Sequence, residues 1–233
     1  MKWIKKWGIS LINWFFPHYC VVCGKRLPQD CRVLCPSCQE KMPRTRYHSW
    51  EENRMAKQFW GKFPTGRATA WFFYSKDSSY VHMIHLFKYN GRQQLAFDVG
   101  YLMAEEMLPS GFFDDIDCIV PIPLHKKRYR ERGYNQSELL ARGVAAVTHI
   151  SVVCDAVERI RYTETQTHKT MQERIKNMED VFRAKNVNQL EGKHVLLMDD
   201  VMTTSSTLTA CADALKGIPN VKFSFLTVAI ASH

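Results

Sequence analysis

The sequence has no apolar run long enough to span a bilayer, so nothing in it reads as a transmembrane helix. It has no internal repeat and no low-complexity linker, which argues against repeat arrays and disordered tethers. A working ATP phosphate loop is missing too. The nearest approach is Gly61-Lys62-Phe63-Pro64-Thr65-Gly66-Arg67-Ala68. There Arg67 replaces the required lysine, and Ala68 removes the hydroxyl that would meet Mg²⁺. The first residues, Met1 to Pro17, begin with charge and contain apolar residues. Polar residues interrupt that stretch and no small-residue cleavage site follows, so an amphipathic helix is expected rather than a signal peptide. Contact of Trp3, Trp7 and Trp14 with a membrane surface is the lesser reading.

The eight cysteines do not look like a disulfide framework, and mostly reduced thiols suit a cytoplasmic protein. Four of them form two knuckles, Cys20-Val21-Val22-Cys23 and Cys35-Pro36-Ser37-Cys38. Paired Cys-x-x-Cys knuckles with a short spacer put four thiolates within reach of one tetrahedral Zn²⁺. Four protein ligands leave no open position, so such a metal is structural. Disulfides and free core thiols are the alternatives. Cys31 lies in the spacer as a substitute ligand without a knuckle partner. Cys118, Cys154 and Cys211 stand alone and read as small buried hydrophobes.

At 233 residues the chain can bury a full α/β core beside a small module. The formal net charge of +9 favours polyanionic or phosphorylated partners. Strands are expected at Ala70–Tyr74, Cys118–Val120, Val152–Cys154, Val195–Met198 and Phe223–Ile230. Helices are expected at Ser79–Lys88, Arg92–Leu108, Asn135–Val147 and Leu208–Lys216, with a further helical stretch at Arg174–Met178. This alternation implies a largely parallel sheet. The expected division is a helix and four-cysteine zinc finger over residues 1–50 and an α/β domain over residues 65–233.

The most informative stretch is His194-Val195-Leu196-Leu197-Met198-Asp199-Asp200-Val201-Met202-Thr203-Thr204-Ser205-Ser206-Thr207-Leu208. An apolar run reads as a buried parallel strand, and parallel sheets bind ligands at the carboxyl ends of their strands. The turn into the next helix leaves free backbone N–H groups, an anion site. Hydroxyls at Thr203, Thr204, Ser205, Ser206 and Thr207 add donors for a phosphate. Asp199 and Asp200 can accept hydrogen bonds from a sugar diol. Together these features suit a phosphorylated ribose.

Basic residues concentrate nearby. Lys126, Lys127, Arg128, Arg130 and Arg132 follow Val120-Pro121-Ile122-Pro123-Leu124-His125, where two prolines must end a strand. They are expected on a loop at the strand's carboxyl end, with Tyr129 and Tyr134 interleaved. Arg159, Arg161, Thr163, Gln166, Lys169 and Arg174 form a second set. Arginine forks suit phosphate oxygens. Arg128, Arg132 and Arg161 are therefore candidates for a pyrophosphate, with Lys88 a further one.

The Asp-Asp turn resembles the 5-phosphoribosyl-1-pyrophosphate (PRPP) loop of type I phosphoribosyltransferases. That resemblance implies ribose hydroxyls on Asp199 and Asp200 and the 5′-phosphate on Thr203 to Thr207. It departs at Ser205, where the family usually has glycine; a position needing φ > 0 would strain serine. The motif order extends the likeness. It runs from the knuckles through Phe87-Lys88-Tyr89-Asn90-Gly91, Val120-Pro121-Ile122-Pro123-Leu124 and Arg132-Gly133-Tyr134-Asn135-Gln136. It continues through Arg161-x-Thr163-x-x-Gln166 and Glu173-Arg174-x-x-Asn177 to the acidic loop. In this order the chain resembles the ComF family of competence-associated proteins. The resemblance implies a type I phosphoribosyltransferase-like fold with an N-terminal zinc finger, PRPP and Mg²⁺ as ligands, and a role in DNA uptake with single-stranded DNA and a partner helicase. As a transferase, the protein would displace pyrophosphate by positioning and charge stabilisation, with Asp199 and Asp200 as the catalytic pair and Asp200 the default base. As an adaptor, it would bind single-stranded DNA without turnover, and that binding would depend strongly on salt.

Overall fold

The computed structural model describes residues 18–162 and 181–232. The expected N-terminal helix, the expected turn of helix at Arg174–Met178, and Thr163, Gln166, Lys169, Glu173 and Asn177 lie outside these residues.

A five-stranded, wholly parallel sheet organises the chain. Its strands are β1 (Thr65–Tyr74), β2 (Cys118–Pro121), β3 (Ser151–Val152), β6 (His194–Met202) and β7 (Lys222–Ala231), in the spatial order β1-β7-β6-β2-β3. Two short strands, β4 (Val157–Arg159) and β5 (Phe182–Ala184), pair antiparallel beside it. The described α-helices are α1 (Pro36–Glu40), α2 (Val81–Tyr89), α3 (Gln93–Met107), α4 (Lys126–Arg132), α5 (Gln136–Thr148) and α6 (Ser206–Leu215). The expected α/β class with a small N-terminal cysteine module is what the fold contains.

Alternation along β6 divides the core into two layers. Leu196 and Met198 face one layer with α2, α3 and α5, whereas Val195 and Leu197 face the other with α6 and the β4–β5 pair. Both faces are covered, as a parallel sheet requires. On the first face α3 and α5 touch backbone to backbone. A Cβ on Gly100 would lie 2.1 Å from Leu140 O, and one on Gly143 would lie 2.1 Å from Phe97 O. On the second face, Phe59 stacks on Phe225 with ring centroids 3.7 Å apart.

The cysteine module shares the first layer. Cys20, Leu27, Leu34, Cys35, Cys38 and Met42 pack in one cluster with Tyr80, Met83 and Phe87. Tyr80 Oη donates to Cys38 O at 2.7 Å. Arg44 donates to both oxygens of Glu106, and Oε2 also accepts from Trp71 Nε1 at 3.0 Å.

Four local departures from the expected elements have physical causes. Strand β1 begins at Thr65 rather than Ala70, because Gly66 lets the strand run against His194 and Ser224, where a Cβ would lie 2.7 Å from each. The basic stretch expected as a loop is helix α4. His125 Nδ1 caps it by accepting from Lys127 N at 3.2 Å, and Gly133 closes it at φ +79°. Strand β3 stops at Val152 on the sheet edge, leaving Cys154 exposed rather than buried; Cys118 and Cys211 are buried as expected. The β4–β5 pair was not expected at all, since three-residue strands carry too little alternation to read.

Candidate functional site

Helices α5 and α6 lie on opposite faces of the sheet, and the connections after β2 and β6 diverge. The crevice between these two strands is therefore the topological switch point, where open α/β sheets place their ligands. Asp199 and Asp200 stand near the carboxyl end of β6 at that crevice.

The acidic pair is held from three elements. Ser137 Oγ donates to Asp199 Oδ1 at 3.0 Å, and the Asp200 backbone N–H donates to the same oxygen at 2.8 Å. Gln136 Nε2 donates to Asp200 Oδ2 at 2.9 Å, and Lys88 Nζ on α2 lies 2.8 Å from Asp200 Oδ1. Gln136 and Ser137 open α5, so that helix's partial positive charge also faces the carboxylates. Asn135 fixes this helix start: its Oδ1 accepts from Ser137 N at 3.1 Å and its Nδ2 donates to Ile122 O at 3.0 Å. Burial, then the charge of Asp200, pushes the Asp199 carboxyl up to about 7, against the opposing pull of the Asp200 N–H, Lys88 and Ser137. One carboxyl of the pair thus titrates near neutrality.

The hydroxyl turn lies between β6 and α6. Thr203 is exposed, Thr204 to Thr207 are half-buried, and Thr204 Oγ1 bonds Ser206 Oγ at 3.1 Å. Ser205 has φ −70° and ψ −7°, ordinary right-handed backbone, so the strain expected of serine in place of glycine does not arise. No side chain caps α6, and its first N–H groups remain available to an anion.

The cationic candidates are arranged unequally. Lys88 is on Asp200. Arg132 stands one step behind, donating from Nη1 to Gln136 Oε1 at 2.7 Å and lying over the Tyr89 ring at 5.1 Å. Arg128 and Lys127 cluster on Tyr162, at 5.8 Å and 4.6 Å from its ring centroid. Arg161 is exposed beyond the end of β4. Arg159, first of the second basic set, was not singled out for the pyrophosphate. It lies over Phe182 at 5.4 Å, and burial lowers its pKa against the attraction of Asp199. Gln136 and Ser137 were not among the candidates; an Asn cap directly after Gly133-Tyr134 is the signal the sequence carries for them. Tyr134 is buried, donating to Phe87 O at 2.5 Å, while Tyr129 is exposed.

The four knuckle sulfurs all lie within 4.8 Å of one another. Cys23 and Cys35 Sγ are 3.7 Å apart, far beyond a disulfide and close to the edge of about 3.8 Å that a ZnS₄ tetrahedron requires. Burial raises the Cys20 thiol, but backbone N–H groups of Cys23, Cys35 and Val22 outweigh it and bring it down to about 7. The donor set fits a structural Zn²⁺. Cys31 lies outside the cluster.

No family model matches the chain. It is 28% identical over 224 residues to DNA utilization protein YhgH of Escherichia coli K12, covering 91% of this chain and 89% of that one. It is 29% identical over 201 residues to Competence protein ComFC of Bacillus subtilis, covering 85% and 71%. With Competence protein F of Haemophilus influenzae it shares 34% over 101 residues, covering 43% and 44%. Among solved structures, glutamine PRPP amidotransferase from B. subtilis, complexed with ADP and GMP, aligns with 60% of this chain and 30% of that chain at 18% identity and a TM-score of 0.39. Over most of its length the chain is thus similar to DNA utilization and competence proteins, and its cysteine module fits the zinc finger that the ComF resemblance implies.

Proposed function

We propose that the protein binds PRPP with Mg²⁺ at the β6–α6 crevice and serves DNA uptake as a phosphoribosyltransferase-like protein of the cytoplasm. The observation that carries this reading is the pair Asp199 and Asp200 at a switch point, directly ahead of a hydroxyl-lined helix start. In this reading the two carboxylates accept from the ribose hydroxyls, and Thr203 to Thr207 with the first N–H groups of α6 hold the 5′-phosphate. Lys88, Arg128, Arg132 and Arg161 supply cations for the pyrophosphate. Two adjacent carboxylates are a donor set suited to Mg²⁺, which supplies charge neutralisation of the pyrophosphate when bound. Transfer of the phosphoribosyl group to an acceptor would need no protein nucleophile. Asp199, with its raised pKa, is better matched to proton transfer than Asp200, which holds Lys88. The names of the relatives, DNA utilization and competence, support the cellular role.

Calorimetry of the zinc-loaded protein with PRPP, with and without Mg²⁺, tests the ligand. Magnesium-dependent binding is expected, abolished by Asp199→Asn with Asp200→Asn while zinc content is unchanged. Normal binding by the double variant would overturn the site. A second reading, a DNA-binding adaptor that works with a helicase, is favoured by α4. This helix buries none of its residues and carries five basic side chains around exposed Tyr129. Affinity for single-stranded DNA that falls steeply with salt and disappears on neutralising α4 is its expected signature.

A further inference from the structure

We infer that Lys88 is a resident counter-cation that alternates with a divalent metal at Asp200, an inference resting on the phosphoribosyl reading of the acidic pair. Both oxygens of Asp200 are occupied, Oδ1 by Lys88 Nζ at 2.8 Å and Oδ2 by Gln136 Nε2 at 2.9 Å. The two side chains are 19% and 7% exposed, so water screens this ion pair poorly. A divalent cation ligated by Asp200 would stand a few ångströms from the ammonium, and the two like charges exclude one another.

The two partners of Asp200 are not equally replaceable. Gln136 is fixed at its far end, because Oε1 accepts from Arg132 at 2.7 Å; its amide is neutral and does not repel a metal. Lys88 ends in a point charge on a four-carbon stem with three rotatable donors. Its backbone is anchored next door, where Phe87 O accepts from Tyr134 Oη at 2.5 Å. The side chain can therefore swing while α2 stays. Arg132, over the Tyr89 ring at 5.1 Å, marks a neighbouring cationic rim toward which a phosphate-bearing ligand would draw the ammonium. Lys88 thus keeps bare metal off Asp200 and gives up that place when metal and phosphate arrive together. It is a positioning residue in this scheme.

The test uses Mn²⁺ as the probe, titrated against the full-length, zinc-loaded protein and followed by the EPR signal of the free ion. Lys88→Gln is expected to bind Mn²⁺ about tenfold more tightly than the wild type, because a repelling charge is gone while a donor remains, and Lys88→Arg is expected to match the wild type. In the same Lys88→Gln protein, calorimetric affinity for PRPP at saturating Mg²⁺ is expected to fall. Opposite signs from one substitution are the signature that a purely structural lysine would not give. Equal Mn²⁺ affinity in all three proteins overturns the inference, as does a gain in the arginine variant. Lys88→Met, which keeps the stem without the charge, gives the same comparison if glutamine disturbs the near-ultraviolet circular dichroism. A wild type that binds no PRPP, with the Mn²⁺ ordering intact, refutes the phosphoribosyl reading alone.

Discussion

Replacing Asp199 by asparagine should stabilise the protein at neutral pH and not in acid. The carboxyl is pushed from the ordinary 3.8 to about 7, first by burial and then by Asp200. In the unfolded chain the same group ionises near its ordinary value. As pH rises through the interval between about 4 and 7, the unfolded state loses its proton first and the folded state is progressively disfavoured. The stability associated with the protonated group is therefore full below pH 4 and lost as pH passes 7. That displacement corresponds to an upper value of about 4 kcal/mol. Because the side chain is partly open to water, we expect about 2 kcal/mol. Asparagine keeps the oxygen that accepts from Ser137 and from the Asp200 N–H, so packing and hydrogen bonding are matched. Urea denaturation of both proteins across pH 4.5 to 8 measures the difference, and any acid loss of zinc is common to both. A difference that stays flat with pH, or that favours the wild type as pH rises, would refute the electrostatic argument.

Other parts of the fold make further claims. Asp200→Ala leaves the Lys88 ammonium without its carboxylate and should cost about 2–4 kcal/mol, with Lys88→Met recovering at least half of that; simple additivity in the double-mutant cycle would show the pair to be uncoupled. Gly100→Ala drives a methyl into Leu140 O and should cost roughly 2 kcal/mol or more, read from the denaturation midpoint. Cys35→Ser should lower zinc content and the melting temperature of the whole sheet together, since Cys20, Leu34 and Cys38 share a layer with Met83 and Phe87; two separate unfolding transitions would contradict that shared core.

Strand β6 could be read in the sequence because its apolar run is continuous, and its two carboxylates stood out because charge at the end of such a run has no packing purpose. The knuckles were legible because metal ligation demands a fixed spacing. Helix α4 was not: with no buried residue it has no apolar period, and its cap is an imidazole nitrogen rather than a usual capping oxygen. The partners of the acidic pair were harder still. Lys88, Gln136 and Ser137 come from α2 and α5, and only the crossing of those helices over the sheet brings them to β6. Ser205 illustrates the reverse error. The resemblance to a loop that usually has glycine there implied a cost if the backbone were left-handed, but φ here is −70°, and any residue tolerates that. Serine at this position therefore adds a hydroxyl to the turn without a backbone cost.

The cysteine module and the acidic pair lie at opposite ends of a single mechanical connection. Tyr80, at the start of α2, donates to Cys38 O inside the second knuckle, and Met83, Ile84 and Phe87 on the same helix are buried in the layer that the module completes. The last turn of α2 carries Lys88 to Asp200 and Tyr89 to Arg132, and Tyr134 locks that turn to the start of α5 through Phe87 O. Metal in the knuckles would fix α1, which carries Cys38; α1 holds the start of α2 through Tyr80, and a rigid helix passes the placement to Lys88. A module with four closed ligand positions can take no part in chemistry, but it can set where the cation at the crevice stands. On this argument zinc loss reaches the acidic pair through the position of one helix, with the sheet and β6 themselves unchanged until the shared core gives way.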